Sequence, residues 1–241
     1  RGAGIGCMWY GIGNTGLSNP SSMRVTLDST GELMLYNGAV DIGQGSTTII
    51  AQICADGLGL PVAQMKQVVG DTDLTADAGK TSASRQTFVS GKAAQLAGED
   101  LRQNILRYAN AGPESEIELT GSIVTVHDGD ERHQIDLSAL SAGSDGTVLE
   151  GNGTFDPPTV PLDENGQGSP YATYGFAAQI ATVEVDMELG TTKVLKITAA
   201  HDVGRAINPI QVEGQVQGGI AQGLGFALME AFFVETSAID A

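Results

Sequence analysis

The sequence predicts an α+β fold in which β-hairpins and mixed sheets pack against a few helices. Two predicted hairpins carry this assignment, one over residues 23–40 and one over residues 179–199. Each is followed by a segment with helix-compatible apolar residues, the first from residue 46 and the second from residue 214. No internal repeat reaches the length of a solenoid repeat, so the two hairpin-and-helix units are only loosely alike.

In the first half of the chain, strands are predicted at 23–27 and 32–40 on either side of the turn 28–31. The helix predicted after Gly45 ends at Gly59 and Pro61. A short strand is predicted at Val68 and Val69, and a polar loop follows over 71–81. A longer helix is predicted over 84–110. Its expected buried stripe is Phe88, Ala93, Leu96, Ala97, Leu101 and Ile105.

In the second half of the chain, the boundaries between predicted elements are less clear. Residues 113–165 are interpreted as a variable insert and connection, with strands at 116–119 and 122–127 and an irregular stretch at 151–170. Strands at 179–185 and 193–199 form the second hairpin, and a glycine-interrupted helix covers 214–230. The predicted organisation is two intertwined subdomains, 1–112 and 166–241, separated by the insert 113–165.

The formal net charge is −17, from 29 acidic and 12 basic residues. Such a surface repels phosphate backbones, so nucleic acid and anionic membranes are not expected as partners. An anionic cofactor would have to be held by local backbone N–H groups in a shielded pocket, because the overall field opposes it. The apolar fraction of 41% allows a packed core.

Cysteine and histidine usage argues against a protein-ligated metal. Cys7 and Cys54 form no C-x-x-C pair, and the three histidines are scattered. Unpaired cysteines fit a reducing cytoplasm. No signal peptide or transmembrane span is recognised. A start at Arg1 without Met and an abrupt stop at Ala241 suggest a chain cut from something longer.

One glycine-rich motif resembles a dinucleotide-binding turn but lacks the required context. Residues 11–16 read G-x-G-x-x-G, but a dinucleotide-binding turn must open a helix, and these glycines run into the turn residues 17–22. The sequence also lacks a G-x-S-x-G elbow, a Walker loop and an H-E-x-x-H motif. What remains is a chain suited to holding a large polar cofactor rather than to catalysis by its own side chains.

Two loops that lead into helices could cradle an anion. In residues 41–48, Gly43 and Gly45 would let a ligand approach the backbone closely, and Gln44 offers it both a donor and an acceptor. An ordinary turn with a capped helix explains the same pattern equally well. In residues 81–87, clustered hydroxyls and the Arg85 guanidinium favour a phosphate site over simple helix caps.

The helix at 214–225 carries five glycines, and each costs roughly 1 kcal/mol relative to alanine inside a helix. Gly214, Gly218 and Gly225 share about one face, as do Gln215 and Gln222, one heptad apart. Tight packing against another element and contact with a bulky polar ligand are both open explanations.

Four segments together resemble the xanthine dehydrogenase/aldehyde oxidoreductase family of molybdenum hydroxylases. They are residues 41–59, 70–73, 81–85 and 201–225, which contain D-I-G-Q-G, G-D-T-D, T-S-A-S-R and H-D-V-G-R-A-I-N-P. They occur in the family's order and span nearly all of the chain outside 113–165. The resemblance implies the molybdenum-binding region of the family's molybdopterin-binding subunit, and therefore a molybdenum-cofactor-binding domain.

The resemblance also implies site residues. Molybdenum would be held by the dithiolene of a pyranopterin, extended in bacteria as the cytosine dinucleotide, with no metal ligand from the protein. Gln44 would lie near a molybdenum oxygen ligand, with Gly43 and Gly45 against the pterin. Trp9 or Tyr10 would line the substrate pocket, if they are not merely a packed pair. The remaining implied cofactor contacts are Thr81, Ser82, Ala83, Ser84, Arg85 and Gln86 at the phosphates, and Gln215 and Gln222 at the pterin.

The implied reaction hydroxylates an N-heterocycle, purine or aldehyde with oxygen from water. Electrons would leave through 2Fe–2S clusters and usually FAD on partner subunits or domains. The family's general-base glutamate lies in a G-x-G-E segment that this sequence lacks, so the chain alone is expected to be inactive, with the rest of the molybdopterin-binding subunit as a partner. Two alternatives stay open: a non-catalytic cofactor-binding scaffold and a plain nucleotide-dependent dehydrogenase.

Overall fold

The computed structural model describes residues 1–14 and 16–232, and it divides into two compact units, Arg1–Val203 and Gly204–Ala241. The first unit contains ten strands and two α-helices among its described residues. The strands are β1 (Gly2–Gly11), β2 (Ser21–Asp28), β3 (Leu33–Asn37), β4 (Met65–Val69), β5 (Glu116–Thr120), β6 (Ile123–Asp128), β7 (Glu131–Asp136), β8 (Thr147–Phe155), β9 (Tyr174–Asp186) and β10 (Thr191–Asp202); the helices are α1 (Ser46–Leu58) and α2 (Gly91–Ala109).

The central layer is a mixed sheet of order β4-β3-β2-β8. The predicted first hairpin is confirmed, because β2 and β3 pair antiparallel with Met23 opposite Asn37. Strand β4 returns parallel to β3 after the crossover through α1. Alternate residues of β2 and β3 point into the core, where Val25, Leu27 and Leu35 are fully buried. Strand β2 packs against α2, and β3 contacts α1. The predicted α+β class, with mixed sheets and packed helices, is confirmed.

The two helices cross closely because small residues face each other. A Cβ added at Gly57 of α1 would lie 2.7 Å from the Gln95 carbonyl oxygen, and one at Gly98 of α2 would lie 2.3 Å from the Cys54 carbonyl oxygen. The predicted helix over 84–110 opens with a π-helical turn, Gln86–Ser90, before α2 begins. Most of the predicted stripe is buried, whereas Phe88 and Leu96 are only half-buried.

Strand β8 corrects the interpretation of residues 113–165. Residues 147–155 pair antiparallel with β2 and pack along α2, so this part of the predicted insert belongs to the central layer. Gly151 and Gly153, which suggested an irregular connection, allow this packing: an added Cβ would come within 2.2 Å and 2.1 Å of the Ala97 and Ala93 carbonyl oxygens. The boundaries at 112 and 165 stay predictions.

Residues 116–136 form a small antiparallel sheet, β5-β6-β7, whose apolar side joins the same core through Leu119, Val126 and Ile135. Its third strand was not predicted, because in β7 only Ile135 is buried and charged residues hide the alternation. The third sheet has the order β1-β9-β10 and confirms the second predicted hairpin. In it, β1 from the N-terminal segment pairs with β9. The division into two intertwined subdomains stays a prediction.

The second unit contains α3 (Pro209–Leu228). It begins five residues before the predicted start, because the Asn208 side chain accepts a hydrogen bond from the Gln211 amide (3.2 Å) and Pro209 occupies the first helical position. None of its residues is buried. Within the described parts of the chain, no helix is long and apolar enough to cross a membrane.

Candidate functional site

The turn before α1 is built around Asp41. Its carboxylate accepts hydrogen bonds from the backbone N–H groups of Gly43 (2.8 Å), Gly45 (3.2 Å) and Thr47 (3.1 Å). Burial by itself raises the pKa of Asp41, but the hydrogen bonds from the Thr47, Gly43 and Gly45 amides outweigh it and hold the pKa below its ordinary value. The amides predicted to bind an anion are thus bound by the chain's own carboxylate.

The side-chain amide of Gln44 has a hydrogen-bond partner for its oxygen but none for its nitrogen among the described residues. Its Oε1 accepts a hydrogen bond from the Ile42 amide at 2.7 Å, whereas its Nε2 is buried without a partner in the described residues. Gly43 has a φ of 103° and nothing within 4 Å of an added Cβ. A buried donor without an acceptor costs about 1–3 kcal/mol. The turn therefore contains an unsatisfied donor on Gln44, and the neighbouring Gly43 has open space at its Cβ position; both features fit a polar ligand bound at this turn.

The second loop contains two non-glycine residues in the left-handed region, Ala83 (φ 54°) and Ser84 (φ 55°). Such residues cost of order 1–3 kcal/mol each and persist only where the surroundings hold them. One support is a hydrogen bond from the Gly13 amide to the Ala83 carbonyl at 2.9 Å. The loop is thus held in a conformation that leaves the Ser82 and Ser84 side chains exposed.

Arg85 is completely buried. One terminal nitrogen donates to the carbonyls of Asn19 (2.9 Å) and Pro20 (2.8 Å), and the other donates to those of Ala78 and Lys80. Burial lowers the pKa of this guanidinium, an effect that the charges of Asp77 and Asp156 oppose. The fork of donors predicted to bind a phosphate therefore binds the fold's own carbonyls and joins the loop before β2 to the loop before α2.

Thr81 and Gln86 connect the two loops that were predicted to bind the cofactor. The Thr81 hydroxyl donates to the Val40 carbonyl at 2.7 Å, three residues before Gly43, and accepts from Gln86 Nε2 at 2.9 Å. The Gln86 Oε1 accepts from the Ser90 hydroxyl. The predicted segments 43–45 and 81–86 therefore lie close to each other.

Trp9 and Tyr10 are adjacent in β1 and point to opposite faces of its sheet. Trp9 is 70% exposed and stacks on Tyr174 with ring centroids 5.2 Å apart. The aromatic pair is therefore Trp9 with Tyr174, and Trp9 and Tyr10 cannot both line one pocket from the same side.

Gln215 and Gln222 lie on α3 in the second unit, where both are exposed. Because α3 belongs to the second unit, a contact of these two side chains with a pterin stays a prediction. Among the described residues, no three His, Cys, Asp or Glu side chains gather as a metal site would require.

Two residues were missed by sequence reasoning. The Asp41 carboxylate accepts the backbone hydrogen bonds that shape the 41–47 turn. An aspartate shortly before G-x-G at the start of a helix is the sequence feature that could have predicted this role. Asn19 is 7% exposed and its Nδ2 lacks a partner in the described residues, although its Oδ1 accepts from Asn14 at 3.1 Å. No pattern in the sequence distinguishes Asn19 from an ordinary turn residue.

Comparison with known proteins identifies relatives of similar fold. The xanthine dehydrogenase molybdenum-binding subunit of Escherichia coli O157:H7 is 27% identical over 245 residues, covering 98% of this chain and 31% of that subunit. The nicotine 6-hydroxylase large subunit of Paenarthrobacter nicotinovorans is 30% identical over 210 residues, covering 86% of this chain and 25% of that subunit.

Among solved structures, the aldehyde oxidoreductase from Desulfovibrio gigas is similar with a TM-score of 0.76 at 27% identity, covering 96% of this chain and 23% of that one. The chain therefore spans less than a third of the length of these relatives. A family model described as the molybdopterin cofactor-binding domain matches residues 1–239. The resemblance drawn from the motifs is confirmed: this chain belongs to the molybdopterin cofactor-binding domain family.

Proposed function

We propose that this chain is the molybdopterin-binding portion of a molybdenum hydroxylase acting on an N-heterocycle, a purine or an aldehyde. The observation that carries the proposal is the match of the molybdopterin cofactor-binding domain family model to residues 1–239. The unpartnered Nε2 of Gln44, in the turn predicted to lie against the pterin, supports it. Because Thr81 bonds to Val40, the 81–86 loop lies next to this donor. When bound, the molybdenum centre supplies the oxygen-transfer and two-electron chemistry.

The cofactor-facing residues divide by role. Gln44 donates from Nε2 to an acceptor on the cofactor, and Gly43 and Gly45 let the pterin lie against the backbone. The exposed hydroxyls of Ser82 and Ser84, presented by the left-handed backbone at Ala83 and Ser84, contact the phosphates. Thr81, Arg85 and Gln86 hold the 81–86 loop in place. Gln215 and Gln222 hydrogen-bond the pterin.

The larger assembly follows from the family. The cofactor is the cytosine dinucleotide form, and 2Fe–2S and FAD groups sit on partner subunits or domains. The names of two relatives, a molybdenum-binding subunit and a large subunit, support a multi-subunit complex. The general-base glutamate comes from outside the chain, so residues 1–241 alone are inactive. Two unpaired cysteines support a cytoplasmic location.

Gln44→Glu tests the proposal directly. The substitution keeps the acceptor for the Ile42 amide and replaces the free donor with a negative charge facing an anionic cofactor. We expect molybdenum and pterin content per chain to fall at least about tenfold, in line with the loss of an orienting group at a metal centre. Content is measured by elemental mass spectrometry and by the fluorescence of the oxidised pterin released with acid.

The matched control is Gln103→Glu, which adds the same charge on the exposed face of α2. It should leave cofactor content unchanged. If Gln44→Glu retains the wild-type content while the circular dichroism spectrum is unaltered, Gln44 does not bind the cofactor. A complex that holds the cofactor but oxidises no substrate with a dye acceptor would favour the scaffold alternative.

A further inference from the structure

The proposed function assigns no role to the glycine-rich motif at residues 11–16, although this motif contacts the 81–86 loop. The buried Gly13 donates its amide hydrogen to the Ala83 carbonyl at 2.9 Å. A side chain at residue 13 would be strained, because the φ of Gly13 is 97°, and it would lie 3.3 Å from Asn19 Nδ2. The motif therefore brings a buried backbone donor to one of the two left-handed residues of the loop.

A second set of hydrogen bonds joins the motif to the same loop through side chains. Asn14 Nδ2 donates to Asn19 Oδ1 at 3.1 Å, and the Asn19 carbonyl accepts from the Arg85 guanidinium at 2.9 Å. Asn19 is itself held by Asp156, whose Oδ1 accepts from the Asn19 amide at 2.7 Å. The 11–14 segment is therefore connected to the loop both directly and through the Arg85 guanidinium.

The ring of Tyr171 packs directly on the backbone of this motif. A Cβ added at Gly11 would lie within 2.6 Å of three ring carbons, Cγ, Cδ1 and Cδ2, so the face of the ring covers the glycine. The ring also packs edge-on against Tyr174, with centroids 5.7 Å apart. Beside it, the Ile12 amide donates to the Thr173 carbonyl at 3.0 Å. The ring can occupy this place only because residue 11 has no side chain.

We propose that Tyr171 is a positioning residue for the candidate cofactor site. Its ring fixes the backbone at Gly11, and Gly13, two residues later, holds the Ala83 carbonyl. A left-handed alanine persists only where its surroundings hold it, and the Gly13 amide is part of those surroundings. Displacing the ring therefore loosens the 81–86 loop. This role rests on the proposed function, in which the loop contacts the phosphates of the cofactor.

The same contacts account for the G-x-G-x-x-G spacing without a nucleotide. The amides of Ile12, Gly13 and Gly16 each donate to a carbonyl of the chain, so these donors are already occupied where a pyrophosphate would need them free. Gly16 has a φ of 56°, and an added Cβ would lie 2.9 Å from the Pro161 Cα. Each glycine of the motif is therefore needed for a turn or for close packing, with Gly11 reserved for the aromatic ring.

Residue-resolved amide hydrogen exchange of the natively purified protein measures directly how firmly the loop is held. Three amides serve as reporters: Gly13, which donates to the loop, and Ser82 and Arg85, which donate to carbonyls within it. Tyr171→Ala should raise exchange at these three amides at least about tenfold, because local opening becomes easier. The small sheet at 116–136 should exchange as in the wild type.

Three further variants distinguish positioning from a general loss of stability. Tyr171→Phe keeps the ring carbons that cover Gly11 and should stay within about twofold of the wild-type rates. Tyr108→Ala removes an exposed tyrosine from α2 and should change none of the three rates. Gly11→Ala should reproduce the effect of Tyr171→Ala, because its methyl group displaces the ring. The double variant should exchange no faster than Tyr171→Ala alone, since both changes act on one contact.

Wild-type rates at the three amides in Tyr171→Ala would overturn the positioning role, and so would an equal acceleration in the sheet at 116–136. The pterin content of the same samples separates this role from the proposed function. We expect Tyr171→Ala to contain less pterin than Tyr171→Phe. Faster exchange in the loop with full pterin content would contradict the contact of the loop with the cofactor alone. Unchanged exchange with full pterin content would contradict the positioning role alone.

Discussion

Arg85 shows how much a single residue can organise in this fold. Within the described residues its guanidinium forms no ion pair, and its partners are the carbonyls of two loops, at residues 19–20 and 78–80. Those loops flank the left-handed residues Ala83 and Ser84, whose conformation costs free energy. We infer that Arg85 acts on the candidate site through the loop that it holds.

Replacing this guanidinium should be costly. Arg85→Met leaves four carbonyls without their donor, and we expect the free energy of unfolding to fall by about 3 kcal/mol or more, since each buried unsatisfied group costs about 1–3 kcal/mol. Arg85→Lys should recover only part of this, because an ammonium cannot span both loops. Chemical denaturation measures the change.

Arg132→Met, on the exposed side of β7, removes an arginine without removing a buried contact and should stay within about 0.5 kcal/mol of wild type. If Arg85→Met lowered the free energy of unfolding no more than Arg132→Met does, the hydrogen bonds from Arg85 to the four carbonyls would contribute nothing to stability.

The sequence predicted Arg85 as a phosphate ligand but could not predict the direction of its side chain. A guanidinium next to hydroxyls predicts a phosphate site, and only the packed structure shows that its donors face inward. The same limit applies to Gly43 and Gly45, whose amides were predicted to be free and are bound by Asp41. Side-chain direction depends on contacts across the chain, which local patterns do not contain.

At the scale of elements, close packing explains why glycine is needed in β8. Gly153 faces α2 so closely that an added Cβ would lie 2.1 Å from the Ala93 carbonyl and 2.5 Å from the Ala97 amide nitrogen. We expect Gly153→Ala to destabilise the chain by about 1–3 kcal/mol, because overpacking forces the helix and sheet apart. Thermal or urea unfolding measures the effect.

Gly2→Ala serves as the control, since its Cβ would meet nothing within 4 Å. It should be neutral or slightly stabilising in a strand. Equal stability of the Gly153→Ala and Gly2→Ala variants would contradict the tight contact between β8 and α2.

A second element-scale prediction concerns pH. The hydrogen bond from Arg24 of β2, at 2.6 Å, lowers the pKa of Asp145 from 3.8 to about 2. A lowered pKa in the folded state means that the stabilisation is present above pH 3.8 and is lost as the pH falls through about 2. The stability difference between wild type and Asp145→Asn should therefore shrink between pH 5 and pH 2.

Urea midpoints across this range test the prediction, with Asp130→Asn as the control for removing a surface carboxylate at the exposed β6–β7 turn. A difference between wild type and Asp145→Asn that stays constant over the whole range would contradict the role of the Arg24 contact.

Elements with strong local signals were predictable. Both hairpins and the three helices follow from alternation, helical spacing and turn residues, and their approximate places are confirmed. The strands that were missed lack those signals: β1 alternates glycine with apolar residues, β7 buries only Ile135, and β8 uses glycines for contact with α2. In each case the strand is stabilised by pairing with a neighbour rather than by its own pattern.

For the whole molecule, the net charge of −17 constrains where an anionic cofactor can lie. The candidate site meets this constraint locally, with the Gln44 amide, two serine hydroxyls and a backbone held by Asp41 and Arg85. The family assignment was predictable from four short motifs because they occur in the family's order along nearly all of the chain. The remaining contacts of a bound cofactor could not be predicted in the same way, since this chain spans less than a third of the length of its relatives.

The central claim is that the loops 41–45 and 81–86 hold one molybdopterin cofactor. The most direct test is elemental mass spectrometry of the natively purified protein, with released pterin measured on the same sample. We predict close to one molybdenum and one pterin per copy of this chain. Protein that is fully folded and complete with its partners, yet contains neither molybdenum nor pterin, would contradict the claim.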